Sequence, residues 1–214
     1  MIELAIQVFG VAIEVIFPVP RTFEKDMIDR HAQWLTDSVS GLAVPPDHVR
    51  LRQADVVFGY DLSVQLFGGN GHFSLDAQKA TFSAKNARGR ADGDLLRQVV
   101  GRFLRHFAKE KCSVAFSANA FAKAESKTVK EEYVQRFRFD PRITKPGAVG
   151  YLRLDKWPSD VRFTVEPSLE TEDSLFLAWT TRFPAGELSE ISDKIVNVFV
   201  EAAAIYGLEF RPLA

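Results

Sequence analysis

Apolar and polar positions along this chain fall into two similar sets of short patterned segments. In the first set, Ile2 to Phe17 is rich in Val and Ile and predicts a long strand ended by Pro18 and Pro20. Thr22 stands where a helix N-cap is expected, with Glu24 in the first turn. The helix that follows places Ile28, Ala32, Leu35 and Val39 on one face, until Gly41 and Pro45-Pro46 stop it. Val49 to Phe58, Tyr60 to Phe67, His72 to Asp76 and Thr81 to Ala84 predict strands, with Gly68 to Gly71 as a turn. After the loop Asn86 to Asp94, a helix over Asp94 to Lys109 presents Leu96, Val99, Val100, Phe103 and Phe107 on one side.

The second set repeats this order. Ser113 to Ala122 predicts a strand, and Ser126 caps a short helix that turns Val129, Tyr133, Val134 and Phe137 inward. Asp140-Pro141 breaks that helix. Strands are predicted at Ala148 to Leu154, Val161 to Leu169 and Leu175 to Phe183. A final helix over Glu187 to Tyr206, about 30 Å long, carries Leu188, Ile191, Ile195, Phe199, Ala202 and Tyr206 at helical spacing, with Gly207 at its end. Phe103, Phe107, Ile195 and Phe199 are therefore expected in the core.

FEKDMIDR, Phe23 to Arg30, lies over VKEEYVQR, Val129 to Arg136, with apolar, acidic and Arg positions matched. Val11-Ala12-Ile13 likewise lies over Val114-Ala115-Phe116. The expected fold class is α+β: a tandem duplication of a β-α-β(3–4)-α unit, at 1–111 and 112–214, with long helices on one face of an antiparallel sheet. Leu62, Val64 and Leu66 alternate with Ser63 and Gln65, and Val161, Phe163 and Val165 alternate with Arg162, Thr164 and Glu166. The sheet should thus be one-sided, its polar face either solvated or a docking surface. The element order resembles the TATA-box-binding-protein-like fold, within the broader group of helix-grip folds, over nearly the whole chain. The intercalating phenylalanine pairs of that family cannot be assigned here. The chain also loosely resembles uncharacterised bacterial proteins of similar length.

Composition narrows the partners. The 214 residues carry a formal net charge of -1 with 26% charged residues, which argues against disorder and against bulk polyanion binding. With one cysteine, Cys112, no internal disulfide and no multi-cysteine zinc site can form, and the cytosol is the simplest compartment. The uncharged stretch Leu4 to Ile13 is too short to span a bilayer, and Glu3 and Glu14 flank it, so a buried strand bent near Gly10 is expected and no membrane association.

Candidate chemistry is sparse. Lys79, Lys85, Arg88, Arg90, Arg97, Arg102, Arg105, Lys109 and Lys111 form a basic stretch. Arg88, Arg90, Arg97 and Arg105 are the candidate anion-binding residues, since guanidiniums before and along a helix can hold a phosphate or carboxylate. Asp92 and Asp94 at that helix start serve as caps and repel anions. The glycine turn lacks the Lys-Ser/Thr of a phosphate loop. His31, His48, His72 and His106 have no metal-ligand spacing, and Glu170, Glu172 and Asp173 lack that of a calcium loop. Of Trp34, Trp157 and Trp179, Trp157, followed by Pro158, is the one expected to be exposed.

No motif forces a catalytic role, and no cofactor or metal is expected. The chain reads as a non-catalytic interaction or ligand-binding module, for a protein partner or a second copy of itself. The alternatives are nucleic-acid or phosphoanion binding through residues 79–111, and a helix-grip small-molecule carrier or enzyme with an apolar cavity.

Overall fold

The computed structural model describes residues 1–36, 49–53, 60–66, 71–85, 98–105, 112–155, 157, 159–184 and 195–210. The elements run β1 (Ile2–Ile16), α1 (Lys25–Thr36), β2 (Val49–Gln53), β3 (Tyr60–Leu66), β4 (Gly71–Leu75) and β5 (Lys79–Lys85). A helical segment at 98–105, α2, follows. Then come β6 (Ser113–Ala124), α3 (Lys127–Gln135), β7 (Ala148–Leu152), β8 (Val161–Pro167), β9 (Ser174–Pro184), α4 (Ile195–Ile205) and β10 (Leu208–Phe210). The class is α+β, with an antiparallel sheet as its framework.

The chain divides into two compact units. The first is Val11–Phe116 with Arg182–Ser192, and the second is Met1–Gly10, Ser117–Thr181 and Asp193–Ala214.

In the first unit the neighbour order is β2-β3-β4-β5-β1. β3, β4 and β5 pair antiparallel in a register that aligns Val64, Phe73 and Phe82 in one row and Leu62, Leu75 and Ala80 in another. All six are buried, as the period-two alternation of the sequence requires. Phe73 and Phe82 lie 4.6 Å apart, and Phe103 of α2 packs on both at 6.0 and 5.5 Å. Trp34 and His31 of α1 close on Phe103 at 6.1 and 5.9 Å. α1 buries Ile28, His31, Trp34 and Leu35, so its inward face includes a histidine and a tryptophan that the Ile28-Ala32-Leu35 stripe left out. Thr22 is not its N-cap: the amide of Ile28 bonds the Glu24 carbonyl at 3.1 Å, which starts the helix two residues later than expected. Val39 and Phe107 lie outside the described residues. So do Gly68–Asn70, while Gly71 pairs with Leu66 as the first residue of β4 and not as part of a turn.

In the second unit the order is β6-β9-β8-β7. β8 pairs antiparallel with β7 and β9, and Phe163, Val165, Leu177 and Trp179 of β8 and β9 are buried. Phe199 of α4 meets Phe9, Phe163 and Phe210 at 5.7, 5.9 and 5.3 Å. Ser126 caps α3 as expected, its Oγ accepting the Val129 amide at 3.2 Å. Tyr133 is buried at the end of this helix and donates its hydroxyl to the Tyr206 carbonyl at 2.9 Å. α4 ends at Gly207, which adopts a φ of 75°, the left-handed region that a Cβ disfavours. The chain then enters β10, which the sequence did not suggest, and pairs parallel with β1 through Ile2↔Leu208 and Leu4↔Phe210.

Trp157 corrects a second expectation. It is 4% exposed, stands edge-on to Trp179 at 5.8 Å, and donates its indole N–H to Thr181 Oγ1 at 3.0 Å. A tryptophan in a turn before proline is free to be exposed, but here the indole has both an aromatic neighbour and a hydroxyl acceptor, which together outweigh hydration of its ring.

Candidate functional site

Among the described side chains, those on the side of β3, β4 and β5 opposite the aromatic core are polar. The register that buries Val64, Phe73 and Phe82 places Gln65, His72 and Ser83 in one outward row and Ser63, Ser74 and Thr81 in the next. Arg50 of β2 pairs with Ser63 and extends the second row. Gln65, His72 and Arg50 are exposed, and the four hydroxyl residues are half-buried.

Ser63 and His72 are diagonal neighbours across β3 and β4, with Ser63 Oγ 2.8 Å from His72 Nε2. Ser83 Oγ donates to the His72 carbonyl at 3.4 Å. Partial burial lowers the pKa of His72 from 6.5, so the ring is neutral at neutral pH. A hydroxyl on a neutral imidazole has the form of a nucleophile with its base. The third member of such a set orients the imidazole, and among the described residues no carboxylate is seen bonded to the remaining ring nitrogen. The outward face offers hydroxyls, an amide and an imidazole, with Arg50 at its β2 side.

At the first-unit side of the same sheet, Lys79 pairs with Glu14, so one cation of the predicted basic stretch is already neutralised. Of the four candidate anion-binding residues, Arg88, Arg90 and Arg97 lie outside the described residues, as do Asp92 and Asp94. Arg105 sits exposed on α2, its guanidinium 3.7 Å from where a Cβ on Gly101 would stand. Val99, Val100 and Phe103 of the same helix are buried, so Arg105 belongs to the face turned away from the core.

The second unit holds an open cleft of about 430 Å³ between α3, the segment around Lys145 and the 167–172 turn. Two of its lysines are tied to Glu172. Lys127 Nζ pairs with Glu172 at 2.8 Å, and Lys130, itself buried, donates to the Glu172 carbonyl. Just outside it, Lys123 pairs with Asp173 at 2.9 Å. The Glu172 and Asp173 carboxylates are held below their usual pKa by hydrogen bonds from Lys127 and Lys123. Ser168 Oγ accepts the amides of Glu170 and Thr171 at 3.1 and 3.2 Å and fixes the turn. The acidic loop seen in the sequence is therefore a lysine-matched turn. Among the described residues no group of three His, Cys, Asp or Glu side chains is placed to hold a metal ion.

Cys112 is buried. Among the described residues no helix is long and apolar enough to cross a membrane. The Ser63–His72 pair escaped the sequence reading, although its signal was present. Once Leu66 is paired with Gly71, Gln65 must face His72 and Ser63 must face Ser74. No protein-family model and no curated protein sequence matches this chain.

Proposed function

We propose that this chain is a non-catalytic interaction module that docks a protein partner on the outward face of β3, β4 and β5. The observation that carries this reading is the two-row polar surface of Ser63, Gln65, His72, Ser74, Thr81 and Ser83. It offers hydroxyl, amide and imidazole groups in two rows over an aromatic core, so a partner would be held by hydrogen bonds. We further propose that the module is a tandem duplication, with repeats at 1–111 and 112–214, long helices over one sheet face, and a TATA-box-binding-protein-like arrangement. The neighbour order supports this: β3-β4-β5-β1 in the first repeat is matched by β7-β8-β9-β6 in the second, and β1 and β6 each lead into a short helix.

The test is a Gln65→Lys, His72→Lys variant, whose substitutions point outward and leave the core intact. Tagged protein is cross-linked in its source cells and the attached chains are identified. Partners lost in the variant, with an unchanged circular dichroism spectrum, support the docking face. Partners retained in full would overturn it. Anisotropy titration with single- and double-stranded nucleic acid at low and moderate salt addresses the phosphoanion reading. Submicromolar, salt-sensitive binding that disappears in an Arg88→Ala, Arg90→Ala variant would replace the docking proposal.

A further inference from the structure

The chain between α3 and β7 carries the most exposed large apolar side chain among the described residues, Phe139, at 91%. The backbone around it holds it there. Past the end of α3, the amides of Phe137 and Arg138 still bond back to the carbonyls of Val134 and Gln135, each at 3.0 Å. Phe137 turns in, its ring 5.5 Å from that of Tyr133. On the other side of Phe139, the Asp140 carboxylate accepts the Arg142 amide at 2.9 Å and the Arg142 guanidinium at 2.9 and 2.8 Å. The Ile143 amide bonds the Asp140 carbonyl at 3.1 Å, and Arg138 donates to the Pro141 carbonyl. The loop is thus tied on both sides of a ring that faces solvent. Charge gathers in the same place. Arg136, Arg138, Arg142 and Lys145 stand against one carboxylate, Asp140, in a chain whose net charge is -1. All four cations are exposed. Asp140 matches Arg142. Arg136, Arg138 and Lys145 have no ion pair among the described residues, and Arg136 lies over the Tyr133 ring at 5.4 Å. The nearest acids before the loop, Glu131 and Glu132, belong to α3.

We infer that this loop is a peripheral contact for an anionic lipid surface, with Phe139 entering the headgroup layer and the surrounding cations meeting the charged headgroups. A lipid surface asks for no shape match. It needs an apolar tip with cations beside it, and the two contributions add. The loop supplies both within ten residues, Arg136 to Lys145. A protein partner fits less well, because the core of a protein interface is depleted in charge and Phe139 is flanked by Arg138 and Asp140. Single-stranded nucleic acid also fits less well. It is held by successive stacked aromatic rings, and the other aromatic ring of this loop, Phe137, is turned in. The contact stays in the headgroup layer and needs no spanning segment, which is all that the reading of Leu4 to Ile13 addressed. It lies in the second unit and does not depend on the docking face of β3 to β5.

Co-sedimentation of the full chain with phosphatidylcholine vesicles, with and without about 40% phosphatidylserine, measures it at about 0.1 M salt. The chain is expected to bind the anionic vesicles, to leave the neutral ones in solution, and to be released at about 0.5 M salt. Phe139→Ser should raise the lipid Kd about tenfold. Arg136→Gln and Lys145→Gln should each raise it about fivefold. These side chains are exposed, and thermal unfolding of each variant checks that the fold is kept. Phe139→Trp adds a direct readout, since Trp34, Trp157 and Trp179 are buried. Its emission should shift to shorter wavelength with anionic vesicles and be quenched by brominated lipid. No binding to anionic vesicles up to about 5 mM lipid overturns the proposal. So does equal binding to neutral vesicles, undiminished binding of Phe139→Ser, or undiminished binding of the Arg136→Gln, Lys145→Gln double variant. A single-stranded oligonucleotide that binds more tightly than the vesicles, and is lost in Phe139→Ser, would assign the loop to nucleic acid instead and overturn it.

Discussion

His31 shows how one buried side chain sets a response to pH. It lies on the core face of α1, 6% exposed, with rings of Phe23 and Phe103 against it at 5.7 and 5.9 Å. Burial first, then the positive charges of Arg30 and Arg21, lower its pKa from 6.5 to about 4. Between those values the unfolded chain binds the proton and the folded chain does not. Stability is therefore complete above pH 6.5 and falls as pH drops toward 4, by about 3 kcal/mol in full. Urea midpoints measured across that window should decline, and a His31→Phe variant should show a shallower decline. Phe199 gives a prediction of packing alone. Its ring is 2% exposed and touches Phe9, Phe163 and Phe210. Phe199→Ala should lose about 3–5 kcal/mol in a urea melt, and a loss below about 1 kcal/mol would contradict the orientation of α4.

At the scale of elements, ends can be tested separately from middles. Ser126 contributes one hydrogen bond at the start of α3, and Ser126→Ala should cost about 1 kcal/mol, read from a shift in the thermal midpoint. At Gly207 a Cβ meets nothing within 4 Å, so the loss in Gly207→Ala comes only from its φ of 75°. About 1 kcal/mol is expected, and Gly207→Asn should recover part of it because asparagine tolerates that region. These two ends were legible in the sequence, since serine and glycine at helix ends act through their own local geometry. The middles of β3 and β8 were legible for the same reason: Leu62, Val64, Leu66 and Val161, Phe163, Val165 alternate strictly and are buried. What was not legible depends on distant partners. β10 is three residues long and exists through its parallel pairing with β1. Trp157 is buried by Trp179 and Thr181, both more than twenty positions away in sequence. Thr164 alternates as an outward residue yet is buried, in the row between Val149 of β7 and Ala178 of β9. The Ser63–His72 contact depends on the register of one neighbouring strand pair, β3 with β4.

For the whole molecule, the central question is whether the two compact units unfold as one cooperative system. The tryptophans provide an internal instrument for that question. Trp34 belongs to the first unit, and Trp157 and Trp179 to the second. The second pair stands edge-on with ring centroids 5.8 Å apart, close enough for their excited states to mix. The consequence is optical: the far-ultraviolet circular dichroism should contain an exciton couplet that vanishes in Trp157→Phe and persists in Trp34→Phe. Melting followed on that couplet tracks the second unit alone, while fluorescence of a Trp157→Phe, Trp179→Phe variant tracks the first. Coincident curves would mark a single cooperative transition, and displaced curves would give each unit its own melting temperature without cutting the chain.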